Sequence, residues 1–267
     1  YGQDGPYRDV VGHDLNYLGV AGVAGIMGAE GGPPIVPGVQ IGDLAGGALM
    51  AAVGILTALL ARTQTGRGQL VDISMTDGSL AVNVTHALFA FAKKRQPARG
   101  GTQLTGRNPC YAVYETRDGK YVTVGAVEPH FWRNLVKELG FEEYAARQYD
   151  EGPIREEMFR RFREKFRERT RDEWVAQLRP LDICFGPVLD IDEVERDPQV
   201  VHREMMPTIE DPRKGPMKTI GPPIKLSETP ATIRTPPARF GEHTAEVLAE
   251  IGIGAGELEE LRNSSVV

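Results

Sequence analysis

Apolar positions recur at helical spacing through most of this chain, and the points where that period fails mark its elements. Asp14 to Gly28 reads as a helix in which Gly19, Gly22, Gly25 and Gly28 fall at every third position, a small-residue face that would admit a close neighbouring backbone. The Pro- and Gly-rich stretch Gly31 to Gly38 breaks the period, and Asp43 then opens an uncharged apolar run from Leu44 to Ala61. At about 18 residues that run reaches the lower limit for a membrane span. Gly46, Gly47 and Gly54 within it, Asp43 at its start and the lack of a second such run favour a helix buried on all sides in a globular core, with no membrane span. After a polar turn over Thr63 to Gly68, Gln69 to Ser74 alternates like a strand, and Asp77 to Ala92 resumes helical spacing.

The character changes at Lys93 to Asn108, a basic, Gly-containing stretch that reads as a crossing between domains. Tyr111 to Glu115 and Lys120 to Val124 flank Arg117-Asp118-Gly119, a strong hairpin signal. Helices follow at Glu128 to Leu139, Ile154 to Arg169 and Arg171 to Leu178. In the second, Ile154, Met158, Phe159, Phe162 and Phe166 form one apolar stripe, and the interleaved Arg and Glu residues predict a solvated, salt-bridged face. Pro207 to Pro237, rich in proline, suits an extended return connection. Glu242 to Ile251 and Glu257 to Arg262 close the chain as short helices.

Composition narrows the function. With 41% hydrophobic and 25% charged residues, 267 positions suffice for one large domain or two modest ones. A formal charge of -6 offers no footprint for nucleic acid, which leaves a small-molecule substrate as the expected partner. Cys110 and Cys184 lie in no metal-ligand or disulfide spacing and read as buried thiols in a reducing, cytoplasmic setting. The histidines share no metal-ligand spacing, so no metal site is assigned.

Three segments place an ionisable side chain at the mouth of a predicted helix: Gly12-His13-Asp14-Leu15-Asn16-Tyr17, Gly42-Asp43-Leu44 and Gly125-Ala126-Val127-Glu128-Pro129. Unpaired backbone N–H groups and the helix field favour negative charge there. Removing a proton from carbon beside a thioester needs a positioned base and a stabilised enolate oxygen, and returning one to the opposite face needs a second group that starts protonated. His13 and Asp43 could be that pair, if burial by the apolar helix raises the Asp43 pKa enough for it to hold a proton near neutrality. Each residue also has an ordinary reading: a capping or surface histidine, an N-cap aspartate and a first-turn glutamate.

Those segments, with Gly2-Gln3-Asp4-Gly5-Pro6, Gly38-Val39-Gln40-Ile41, Thr65-Gly66-Arg67-Gly68-Gln69, Asp118-Gly119-Lys120-Tyr121, Asp197-Pro198-Gln199-Val200 and Gly241-Glu242-His243-Thr244, resemble the alpha-methylacyl-CoA racemases within the class III CoA-transferase (CaiB/BaiF) family. The resemblance implies that His13 and Asp43 are the acid/base residues, that Glu128 orients His13, and that Gly12, His13, Asp14, Leu15, Asn16 and Tyr17 hold the acyl-CoA. The Asp14 N–H would face the thioester oxygen. No cofactor is implied beyond the coenzyme A of the substrate. The rival chemistry in the same family is CoA transfer through an acyl anhydride on Asp43, and a non-catalytic CoA-binding or scaffold role is a third possibility.

The implied fold is α/β. A Rossmann-like large domain would be built from both ends of the chain, 1–108 and 213–267, with a smaller α+β domain over 109–212. The family's interlocked homodimers would bring Glu128 to His13 across the subunit boundary. Family members carry a further N-terminal segment of that large domain, so apolar faces and strand edges in this sequence are expected to lack their cover. Location in a peroxisome or mitochondrion would follow if the source is eukaryotic.

Overall fold

The computed structural model describes every residue from Tyr1 to Val267, and the backbone separates into two compact units, Tyr1–Val188 and Leu189–Val267. In the first unit, α1 (Asp14–Val20) ends where Gly22 takes a left-handed φ of 75°, and α2 (Val23–Ile26) starts afresh. The expected continuous helix is therefore broken, and its glycines share no single small-residue face: a Cβ on Gly19 or Gly25 would meet nothing within 4 Å, whereas one on Gly28 would stand 2.6 Å from Pro33 O.

The closest backbone approach lies elsewhere. The apolar run begins as a π-helical segment, Gly42–Leu49, and continues as α3 (Met50–Thr65). Against it lies α4 (Met75–Val82), which is separated from α5 (Val84–Lys93) by a break at Asn83. A Cβ on Gly46 would stand 2.7 Å from Met75 O, and one on Gly78 only 2.0 Å from Gly46 O. Main chains touch at this crossing. A π-helix this long is rare, and π geometry in general gathers at functional sites.

The expectation that the apolar helix is buried on all sides is not met. No residue of α3 is buried, and Leu56 and Leu60 are 66% and 63% exposed. The helix is partly covered along one side, including the Gly46 crossing and Gly54, where Val71 and Ile73 pack. By length and composition the helix Gly42–Thr65 could cross a membrane. One such helix is no evidence for a span, because core helices of globular domains pass the same test. Its partners Val71 and Ile73 belong to the predicted strand Gln69 to Ser74, which keeps the alternation of inward Val71 and Ile73 with outward Leu70 and Asp72. It pairs with no neighbouring strand, so it is not a strand here.

Beyond the 93–108 stretch the first unit holds its main core. The predicted hairpin forms as β1 (Tyr111–Glu115) and β2 (Tyr121–Gly125), with Tyr111 opposite Gly125. Three helices follow: α6 (Pro129–Leu139), α7 (Pro153–Phe166) and α8 (Arg171–Leu178). The last strand, β3 (Phe185–Pro187), then pairs antiparallel to β2. Met158, Phe162 and Phe166 of the predicted stripe are fully buried among Trp132, Trp174, Tyr114 and Tyr144. The polar atoms of these aromatics are satisfied inside: Trp132 Nε1 donates to Tyr144 O (2.9 Å), Trp174 Nε1 to Phe166 O (2.8 Å) and the Tyr114 hydroxyl to Pro109 O (2.8 Å). The outer face of α7 is salt-bridged as expected, through Arg160–Glu164, Arg161–Glu143 and Lys165–Glu168.

The second unit contains α9 (Ile191–Val194) and α10 (Pro198–His202), then β4 (Thr208–Asp211) and β5 (Gly215–Lys218), and at its end α11 (Thr244–Glu250) and α12 (Ala255–Asn263). The β4–β5 hairpin was not foreseen in the Pro207 to Pro237 stretch. Its turn is organised by charge. Asp211, buried, accepts from Arg213 N (2.8 Å), Nε (3.0 Å) and Nη2 (2.8 Å), and Arg213 Nη1 reaches Glu242 Oε2 at 3.0 Å. Both sheets of the chain are antiparallel.

Gly78→Ala should lower the urea midpoint by an amount equivalent to about 1–3 kcal/mol through overpacking. Gly19→Ala, with open space around it, should instead stabilise by up to about 1 kcal/mol, the ordinary gain of alanine inside a helix. The side-chain hydrogen bonds of Arg213 hold the Asp211 carboxyl well below its usual range. The stabilisation is therefore present above the ordinary carboxylate range and is lost as pH falls through the lowered value. Amide hydrogen exchange over β4–β5 should stay slow to well below pH 4 and accelerate at higher pH in Arg213→Leu, in which the Asp211 carboxyl lacks its partner; the pH stated is that of an ordinary aspartate, about 3.9.

Candidate active site

The Gly12–Tyr17 segment folds onto aromatic rings before it enters α1. The Tyr17 hydroxyl donates to Gly12 O at 2.7 Å, and the Tyr1 and Tyr17 rings meet edge to face at 4.8 Å. A Cβ on Gly12 would stand 3.0 Å from both the Tyr1 hydroxyl and the Tyr17 ring, so a larger residue would push the loop off them. His13 is the extended N-cap residue, exposed, and its N–H donates to Asn16 Oδ1 at 3.1 Å. The Asp14 N–H therefore sits at the first helical position, among the donors that a helix leaves without an internal partner.

The side chain of Asp14 has a role that sequence reasoning missed. Its Oδ1 accepts the N–H of Asp43 at 3.0 Å, and a Cβ on Gly42 would lie 2.9 Å from the same oxygen. One carboxylate thus serves two helix mouths, and a negative charge at a helix N-terminus is worth about 0.3–1 kcal/mol. The signal available in the sequence was Gly42, whose lack of a side chain allows the carboxylate in. Asp43 itself is the second residue of the π-helical segment and not its N-cap, which is Ile41. The expected burial of Asp43 is not found: it is exposed, because the apolar helix behind it is itself uncovered.

Glu128 belongs to a different part of the first unit. β2 ends at Gly125, the chain passes through buried Ala126, and Glu128 becomes the N-cap of α6 with Pro129 in the first turn. Its carboxylate is exposed and forms no hydrogen bond or ion pair within the chain, with His13 or any other residue. Its charge acts on two neighbours. Partial loss of hydration raises the Cys184 thiol, and the charges of Glu128 and Asp182 raise it further. The Tyr149 phenol is raised first by burial, with Cys110 and Glu128 adding and the Gln103 hydrogen bond opposing.

The two cysteines differ. Cys110 is buried as expected, and burial pushes its thiol up. Cys184 is exposed, which corrects the reading of it as a buried thiol, because it lies on the open face of the three-stranded sheet. The structure therefore brings the His13 and Asp43 segments together and gives Glu128 no bond to either.

Comparison with known proteins gives this arrangement its context. The chain is 36% identical over its full length to the alpha-methylacyl-CoA racemase of Mus musculus and 35% identical to that of Homo sapiens, and it spans 69% of each. It is also 32% identical to a formyl-CoA:oxalate CoA-transferase of Streptomyces avermitilis, with 99% of this chain and 69% of that protein covered. Among solved structures, a CaiB/BaiF family protein from Brucella suis superposes with a TM-score of 0.75 at 24% identity, covering 94% of this chain and 66% of that one. The mixed α/β fold is thus the fold of that family. The model of CoA-transferase family III matches residues 1–244, and the chain belongs to that family.

Proposed function

We propose that this chain interconverts (2R)- and (2S)-2-methylacyl-CoA thioesters by two-base proton transfer at the α-carbon. The observation that carries this reading is the hydrogen bond from the Asp43 N–H to the Asp14 carboxylate, which keeps the segment bearing Asp43 beside the one bearing His13. In this reading the CoA thioester lies along Gly12–Tyr17 with its carbonyl oxygen at the Asp14 N–H. One of His13 and Asp43 removes the α-proton, the electron pair moves onto the thioester oxygen as an enolate, and the other residue delivers a proton to the opposite face. Coenzyme A enters only as part of the substrate. Glu128, with no partner in its own chain, would orient His13 of a second subunit in a homodimer.

Racemases at 35–36% identity support this assignment. The second reading is CoA transfer between carboxylic acids, with Asp43 as the nucleophile that forms an acyl anhydride. The open carboxylate of Asp43 favours it, and so does the formyl-CoA:oxalate relative. Transfer needs no second base, so His13 is the residue on which the two chemistries part. A non-catalytic CoA-binding role is the remaining alternative.

Deuterium wash-in at the α-carbon of 2-methylacyl-CoA, measured on the full-length protein, separates the three. Racemisation predicts exchange from either enantiomer and the loss of interconversion in both His13→Ala and Asp43→Ala, with a bell-shaped pH profile whose two apparent pKa values belong to the pair. Full activity in His13→Ala, together with hydroxylamine capture of an acyl group from Asp43, would establish transfer instead. Neither exchange nor capture would leave the binding role. Asp14→Ala should slow exchange about 10- to 100-fold, the cost of misplacing a catalytic group by an ångström or less. Asp14→Asn, which keeps an acceptor oxygen for the Asp43 N–H, should recover most of the rate.

A further inference from the structure

We infer that Gln148 and Tyr149 are positioning residues for Glu128, fixing the turn from which its carboxylate projects. The inference rests on the reading of Glu128 as the group that orients the acid/base histidine. Gln148 is 6% exposed, and its Nε2 donates to two successive carbonyls, Ala126 O at 2.9 Å and Val127 O at 2.7 Å. The Tyr149 hydroxyl donates to Val127 O as well, at 2.7 Å, while it accepts from Gln103 Nε2 at 2.9 Å. Val127 O thus receives two donors, one for each lone pair, in the peptide unit that leads directly into Glu128.

From the other side the backbone is fixed by proline. Pro129 disfavours the helical conformation for the residue before it, and Glu128 sits at φ −71°, ψ 142°. The peptide units on both sides of Glu128 are therefore set, and only its own side-chain rotors remain free. The platform is stiff as well. Gln148 and Tyr149 closely follow Tyr144, whose carbonyl is held by the fully buried Trp132 indole at 2.9 Å. A turn that served stability alone would be satisfied by the buried Gln148. The additional Tyr149 and Gln103 bonds lie on the exposed side, where water could replace them, and they converge on a turn that presents an unpaired carboxylate.

The test is a double-mutant cycle on deuterium wash-in from 2-methylacyl-CoA, using the full-length protein. Tyr149→Phe removes only a hydroxyl from a ring that is 45% exposed, so the fold is retained. It should lower kcat about tenfold with KM unchanged, and it should move the pH–rate limb in the same direction as Glu128→Gln does; the size follows the sensitivity of rate to small misplacements. Added to Glu128→Gln, it should cost nothing further, because its effect passes through that carboxylate. Gln148→Met should act in the same way and more strongly. The inference is overturned if Tyr149→Phe leaves kcat and the pH profile unchanged, or if it slows the Glu128→Gln enzyme by the same factor as the wild type. If Glu128→Gln itself exchanges at the wild-type rate, the reading of Glu128 beneath the inference fails.

Discussion

The hydrogen bond from the Asp43 N–H to the Asp14 carboxylate joins two helix starts that would otherwise repel, since each carries the positive end of a helix dipole. A negative charge placed between them reverses the sign of that encounter. It does so only because Gly42 has no side chain to fill the space the oxygen occupies. The arrangement is economical in another sense: the same residue offers its backbone N–H at the first position of α1 and its side chain to the neighbouring helix. A substrate oxygen bound at that N–H would lie in the field of both helix starts.

Behind this junction, the Gly46–Gly78 crossing holds the π-helical segment against α4 at main-chain contact. The wider winding and the glycine crossing belong together. A segment that must press its backbone onto a neighbour at Gly46 while turning its first residues toward Asp14 has two fixed points, and the change from π to α winding at Met50 lies just beyond the second. Periodicity alone cannot reveal this, because apolar residues in an uncharged run look the same at either helical pitch.

What was legible in the sequence divides along the same lines. The hairpin around Asp118-Gly119 and the buried stripe of α7 were readable because each depends on local chemistry: a turn type and a helical period. The break at Gly22 and the hairpin in the proline-rich stretch were not, since the first rests on one left-handed residue and the second on the pairing of Asp211 with Arg213. The candidate residues His13, Asp43 and Glu128 were identified by motif, but their supports were not. Asp14, Gln148 and Tyr149 act through contacts spanning 29, 21 and 22 positions, and nothing in a linear pattern ties such partners together. The burial expected for α3 and Asp43 failed because hydrophobicity states what a surface requires and not which residues will cover it.

The proposed site thus has two separately built parts. His13 and Asp43 stand on helix starts joined by a carboxylate, whereas Glu128 stands on a turn anchored to the aromatic core around Trp132 and Phe162. This division suits a family whose members perform different reactions on one kind of thioester. In the proposed reading Asp43 would serve as base or nucleophile according to what faces it, so a change of chemistry need not disturb the Asp14 junction. The second base is useful only if its imidazole is held at a defined angle to the α-carbon, and a carboxylate on an independent, rigid turn can supply that angle without altering the junction. The chemistry at Asp43 would then be chosen by the part of the molecule that does not carry it.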